Sequence, residues 1–204
     1  SWLTLARHLE LSIYNFCNMS LFRVFVFAAS IGLVSFDFNP EIAANDYIES
    51  YKELAIVEMY RTGIPASITL AQGLHESHYG TSKLATEANN HFGIKCKSYW
   101  TGKTYFHKDD DLNKRGQLIE SCFRAYDSDI DSYIDRSNFL MQTDRYSVLF
   151  EYDKTDYVSW AYGLKNCGYA TDDMYSEKLI EKIEKYNLSV YDSSEDPFRQ
   201  LIRH

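Results

Sequence analysis

The chain is short of several things. Three prolines and nine glycines in 204 residues leave no collagen-like repeat and no flexible linker of biased composition. There is no run of Lys or Arg. A formal net charge of −8 sets the average field against a polyanion, so nucleic acid is not an expected partner. The four cysteines, Cys17, Cys96, Cys122 and Cys167, show no zinc-ligand spacing. His75 and His78 lack a third ligand at a suitable distance in sequence, and no metal or organic cofactor is expected. A Ser77–His78 nucleophile pair is weak, because neighbours in sequence rarely face each other and no nucleophile elbow surrounds them. No apolar run reaches the roughly 20 residues of a membrane-spanning helix.

What is present is an aromatic, apolar chain. Hydrophobic residues make up 45% of it, with 17 Tyr and 12 Phe, which is enough for one packed domain. Residues 20–36 read SLFRVFVFAASIGLVSF, one Arg followed by about a dozen apolar residues, the pattern of a secretory leader. Residues 1–36 are therefore expected to be an N-terminal extension plus signal peptide, with Met19 as the natural start and no stable membrane span once the leader is removed. Residues 37–192 form the expected domain and 193–204 a short tail, in a protein exported to the periplasm or cell surface. Cys96 and Cys122 flank an expected hairpin and are the candidate disulfide of an exported domain.

The periodicity predicts helices over 45–61, from Pro65 to before Gly80, over 82–88, after Ser128, over 157–164 and over 173–186. Asn45 or Asp46 is the expected cap of the first. Ser128–Asp131 reads as a capping box, with Ile130, Ile134 and Phe139 as the inward stripe of its helix. Tyr175, Leu179, Ile183 and Tyr186 form the stripe of the last. Residues 103–107 and 117–126 read as two strands around a polar tip that begins at Asp109–Asp111. The sum is an α+β chain, mostly helical, with one small β-hairpin lobe.

One segment, AQGLHESHYGTSKLA at 71–85, does not read as packing alone. Glu76 closes an apolar helical turn and is followed by Ser, His, Tyr and Gly. A carboxyl group so placed is partly desolvated, its protonated form is favoured, and it can serve as a general acid. An exposed glutamate in a local ion pair is the alternative that spacing leaves open. Asp109, Asp110 and Asp111, and Glu120 on the next strand, are the carboxylates available as a second acid, or a solvated turn or loose calcium site.

The longer string AQGLHESHYGTSKLATEANNHFGIKC resembles the signature of the bacterial glucosaminidase family, glycoside hydrolase family 73. The matching residues are Ala71–Gln72, Glu76–Ser77, Gly80, Ser82, Leu84–Ala85, Ala88–Asn90 and Phe92–Lys95, and Phe123–Asp127, Ser137–Leu140, Trp160, Leu164 and Gly168–Asp172 follow in the family's order. The resemblance spans about residues 46–188. It implies a lysozyme-like fold and cleavage of the β-1,4 bond after N-acetylglucosamine in peptidoglycan glycan strands. It implies Glu76 as the catalytic acid, Asp110 or Asp111 as the second acid with Glu120 as a fallback, and Tyr169 as a tyrosine beside the acid. Ser77, Tyr79, Asn90, Phe92, Tyr105 and Glu120 are candidate sugar contacts, and fixing the loop after the helix is the other role for Asn90. Three residues depart from the family pattern: His75 for an aliphatic, Tyr79 for a frequent tryptophan, and Cys167 for a small residue. A lytic transglycosylase, which needs one acid only, and a non-catalytic peptidoglycan-binding module are the competing readings. Loss of Arg7, Glu10 and Arg23 with residues 1–36 would move the charge from −8 to −9, so binding to an anionic wall cannot rest on general attraction and is expected to rest on stacking and hydrogen bonds to sugar or on delivery by a partner protein.

Overall fold

A computed structural model describes residues 38–112 and 116–199, with backbone alone over 109–112. The expected leader and the Met19 start lie outside the described residues. Among those described, no helix is long and apolar enough to cross a membrane.

The fold is built around one short, almost fully buried helix. Helix α1 (Pro40–Thr62) starts earlier than its periodicity predicts: Pro40 fits the first turn, and the Asn39 side chain accepts from the Glu41 and Ile42 amides at 3.0 and 3.3 Å. Gly63, at φ 83°, ends it in the left-handed conformation that glycine adopts without steric cost. The central helix α2 (Ala66–Glu76) buries every residue from Ala66 to Leu74. It stops at Glu76, and after Ser77 the residues His78, Tyr79 and Gly80 all have positive φ. Helix α3 (Lys83–Ala88) is capped by Ser82 and closed by Asn89 at φ 51°.

Strands β1 (Thr104–Leu112) and β2 (Leu118–Arg124) form the antiparallel hairpin. Register holds from Thr104–Arg124 to Lys108–Glu120 and then shifts before Leu112–Leu118. Asp109–Asp111 therefore sit in the irregular part of a strand and not in the turn that the sequence predicts. Ile94–Cys96 runs along the other edge of β2, with Cys96 N–H donating to Cys122 C=O at 2.8 Å and Arg124 N–H to Ile94 C=O at 2.9 Å. The Cys96–Cys122 disulfide staples the same two segments.

Helix α4 (Asp129–Gln142) carries the expected capping box at Ser128 and Asp131. Of the expected inward stripe only Phe139 packs against the core. Ile130 and Ile134 are 50% and 37% exposed, while Ser132, Tyr133, Arg136, Ser137 and Leu140 are buried. Two 3₁₀ segments, Asp144–Glu151 and Leu188–Ser193, flank α5 (Tyr157–Asn166) and α6 (Tyr175–Lys185). Tyr175, Leu179 and Ile183 of α6 point inward as expected.

Helix α2 begins at Pro65, which offers no capping side chain. Its cap comes from far away: Asp192 accepts from the Ser67 amide at 2.8 Å and from the Ser67 hydroxyl at 2.6 Å. Burial raises the Asp192 carboxyl to about 6, against the opposing pull of the Ser67 bonds. Between about pH 4 and pH 6 the fold thus holds a proton that the unfolded chain has released, and stability falls as pH rises through that window. In thermal melts from pH 4 to 7, wild type is expected to lose more stability with rising pH than Asp192→Asn. Parallel curves would show that Asp192 does not titrate there.

Candidate active site

Glu76 is the last residue of α2, where the helix leaves the core, and it is half-buried. The first contact is a hydroxyl: Tyr175 at the start of α6 donates to Glu76 Oε1 at 2.8 Å. The same Tyr175 oxygen accepts from Gln72 Nε2 at 2.7 Å. Gln72 stands one turn before Glu76, so the two share a helix face. Its carbonyl oxygen accepts from Arg136 Nη2, and Arg136 Nη1 donates to Thr69 Oγ1 at 3.0 Å. A fully buried guanidinium thus ends a chain of hydrogen bonds, Arg136 to Gln72 to Tyr175 to Glu76. A buried charge is tolerated only with such partners, and here it also sets a positive centre behind the carboxyl.

Tyr175 and Tyr169 both keep their protons. Burial raises both phenols above their ordinary range, and the Glu76 charge adds to the effect. Each is a hydrogen-bond donor at working pH. Their rings stack, centroids 5.8 Å apart and 22° between planes. The Tyr169 hydroxyl also lies 3.5 Å from the Phe92 carbonyl.

The opposite wall is backbone. Gly93, at φ 63°, would carry its side chain 4.0 Å from Glu76 Oε2, so the acid faces bare main chain. Asn90 fixes that wall: its amide donates to Ile94 C=O at 3.1 Å and Arg124 C=O at 2.8 Å, and its oxygen accepts from the Phe92 and Ile94 amides at 3.3 and 3.1 Å. His91 is tied to α1 through Tyr47, at 3.0 Å, and its amide to Ser132 at 3.0 Å. Tyr133 donates to Tyr47 at 2.7 Å, and a side chain at Gly73 would collide with the Tyr47 hydroxyl.

The expected contact residues fall into two groups. Ser77, Asn90 and Phe92 are buried. Ser77 donates to Gly73 C=O at 2.5 Å and accepts from Gly80 N–H at 2.7 Å, which closes the turn after Glu76. Phe92 packs against Tyr133 and beneath Arg136. These three build the walls of the site, and their polar groups are spent inside the fold. Tyr79 is half-buried in the same turn. Tyr105 reaches across to α3, donating to Glu87 at 2.6 Å, and Glu120 is exposed on β2 opposite Lys108. The side chains of Asp110 and Asp111 lie outside the described residues.

The sequence pattern does not mark Arg136, names Gln72 and Gly93 only as residues that match the family, with no role, and marks Tyr175 only as a core residue. A signal existed for two of them. Gln72 is i−4 to Glu76, and Arg136 lies three after Tyr133 and four before Leu140, on the buried face of α4. His75 is half-buried with its ring edge-on to Tyr175 at 5.6 Å. Burial, then the charges of Lys182 and Lys178, lower it to about 4, so it is neutral near pH 7. Among the described residues no group of three His, Cys, Asp or Glu could hold a metal ion.

Comparison with known proteins identifies a family for the chain. The family model described as mannosyl-glycoprotein endo-beta-N-acetylglucosaminidase matches residues 52–188. Exo-glucosaminidase LytG of Bacillus subtilis is 31% identical over 152 residues, which cover 72% of this chain and 52% of LytG. Peptidoglycan hydrolase FlgJ of Salmonella typhimurium is 26% identical over 147 residues, 70% of this chain and 46% of FlgJ. The chain spans about half the length of these curated relatives. Among solved structures, the catalytic domain of the autolysin Auto from Listeria monocytogenes superposes with a TM-score of 0.64 at 25% identity, over 84% of this chain and 96% of that one. A peptidoglycan hydrolase mutant from Sphingomonas sp. A1 gives 0.61 at 28% identity, over 78% and 99%. With a matching model over most of its length and a lysozyme-like fold, the chain belongs to the glucosaminidase family.

Proposed function

We propose that this protein is a glycoside hydrolase that cuts peptidoglycan glycan strands at the β-1,4 bond after N-acetylglucosamine, with Glu76 as general acid. The observation that carries the reading is the position of Glu76. It ends a buried helix, it is held through Tyr175 by the chain from Arg136, and it faces the bare backbone of Gly93. A carboxyl group held this way has a fixed direction, with no side chain on Gly93 to cover it.

Glu76 gives its proton to the glycosidic oxygen as the bond breaks, and positive charge develops at the sugar's anomeric carbon. Tyr175 then stabilises the carboxylate left behind, by the same hydroxyl that held the acid. Asp110 or Asp111 is the proposed partner for the developing charge, directly, through water, or by orienting the substrate's N-acetyl oxygen. Tyr169 positions the sugar. Export to the periplasm or cell surface goes with this reading, because the substrate is there. The relatives named as peptidoglycan hydrolase and exo-glucosaminidase support it.

Digestion of purified peptidoglycan, with reduction and mass spectrometry of the fragments, tests the assignment. Products with N-acetylglucosamine at the reducing end are expected. Anhydromuramic ends would make it a transglycosylase. A folded protein that releases no fragments would be a binding module.

A further inference from the structure

A cavity of about 630 Å³ opens between the loop after Cys96, the end of β2, and the junction of α4 with the first 3₁₀ segment. Three cations line it: Lys97, Arg124 and Arg145. They are not equivalent. Arg124 is 3% exposed and committed to the wall: Nη1 donates to both Asp135 oxygens at 2.9 and 2.7 Å, Nη2 to Tyr99 at 3.2 Å, and its plane lies 4.6 Å from the Trp100 ring. Arg145 is exposed, and its polar partner is neutral, the Tyr146 hydroxyl at 2.6 Å. Lys97 is exposed and forms no ion pair with a described residue. With Asp135 taken by Arg124, Asp144 is the one carboxylate left on the lining against these two charges. In a chain of net charge −8 this is a locally positive recess, with Phe139 and Tyr99 as its apolar surface.

Its place relative to Glu76 is defined by a row of rings. Arg145 lies 4.6 Å over Tyr146, Tyr146 is 6.3 Å from Tyr169, and Tyr169 stacks on Tyr175, which holds Glu76. Arg145 Nη1 also lies 3.7 Å from where a Cβ on Gly168 would sit, so this cation adjoins the turn that carries Tyr169. A glycan strand of peptidoglycan has a suitable group to place there, since every second sugar carries a lactyl-linked peptide with free carboxylates.

We propose that this cavity binds a carboxylate of that peptide stem between Lys97 and Arg145, so that the enzyme prefers peptide-bearing glycan to bare glycan. The proposal rests on the peptidoglycan reading above and names what decides its substrate preference. Two charge-assisted hydrogen bonds to one carboxylate are expected to give a preference of about tenfold in kcat/KM. They are also expected to weaken as salt screens the exposed charges.

The test compares intact peptidoglycan with the same material stripped of its peptides by an amidase and then amidated at the lactyl carboxylate that the amidase leaves on each muramic acid, using wild type and the Lys97→Gln/Arg145→Gln double variant. Both side chains are exposed, and melting temperature checks the fold of the variant. Wild type is expected to favour the peptide-bearing material about tenfold, mostly through KM, and the double variant to bring that ratio close to one. A wild-type ratio near one, or a ratio unchanged in the double variant, overturns the proposal. A second measurement does not depend on turnover. The Glu76→Gln protein is titrated with a muramoyl peptide ending in a free carboxylate and with its carboxamide. Weaker binding of the carboxamide, lost when Lys97 and Arg145 are also replaced, supports the anion site even if wild type cleaves neither glycan. Equal binding of the two removes it.

Discussion

Glu76→Gln is expected to leave a folded protein whose cleavage of glycan is slowed by a factor of about 10²–10⁴, the contribution of a positioned general acid. Glutamine has the same shape. Its carbonyl oxygen can still accept from Tyr175, and the chain from Arg136 through Gln72 remains intact. What it lacks is a transferable proton, so the loss belongs in kcat while glycan binding and melting temperature stay close to wild type. Tyr175→Phe separates holding the acid from being the acid. It keeps the carboxyl group but leaves Gln72 Nε2, buried, without its acceptor. That change is expected to cost about 1–3 kcal/mol of stability and to lower kcat less than Glu76→Gln does. Rates and melts on the three proteins check both statements. Wild-type turnover from Glu76→Gln would place the acid elsewhere.

The second large effect concerns the β-lobe. Cys96 and Cys122 lie 26 residues apart, and a bridge closing such a loop stabilises by roughly 3–4 kcal/mol in the chain-entropy account. The lobe is a two-stranded sheet with one further strand segment along β2, a size that is marginal without support. Cys96→Ser/Cys122→Ser is therefore expected to melt about 10 °C lower than wild type, and reductant is expected to lower wild type alone. Activity should fall with it, because Ile94–Cys96 directly follows Gly93, the wall opposite Glu76. Melts with and without reductant measure this. Equal melting of both proteins would mean that the ladder and the Asn90 bracket hold the lobe unaided.

How much of this was legible depended on whether the signal was local. The capping box at Ser128–Asp131 and the α6 stripe of Tyr175, Leu179 and Ile183 are local patterns, and they appear as expected. Glu76 at the edge of an apolar turn was legible for the same reason. The inward face of α4 was not. Periodicity favours Ile130 and Ile134, yet the fold turns Arg136 inward because Thr69 and Gln72, more than 60 residues earlier, offer it oxygen acceptors. The Asp192 cap on α2 is equally distant, and Pro65 alone announces no partner. The two 3₁₀ segments are only eight and six residues long, too short for a repeat to be read from the sequence. The early start of α1 depended on Asn39 and Pro40, outside the apolar stretch that marked the helix.

The supports of α2 have a consequence for the order in which the protein matures. One end of this helix is capped by Asp192 and the acid at its other end is held by Tyr175, both encoded long after the helix itself. During synthesis from the N-terminus, residues 66–76 emerge about a hundred residues before either support exists. A nascent or truncated chain that stops short of residue 175 carries the glutamate without the hydroxyl that orients it. The site around Glu76 is completed last, so an unfinished chain holds α2 without either of its distant supports.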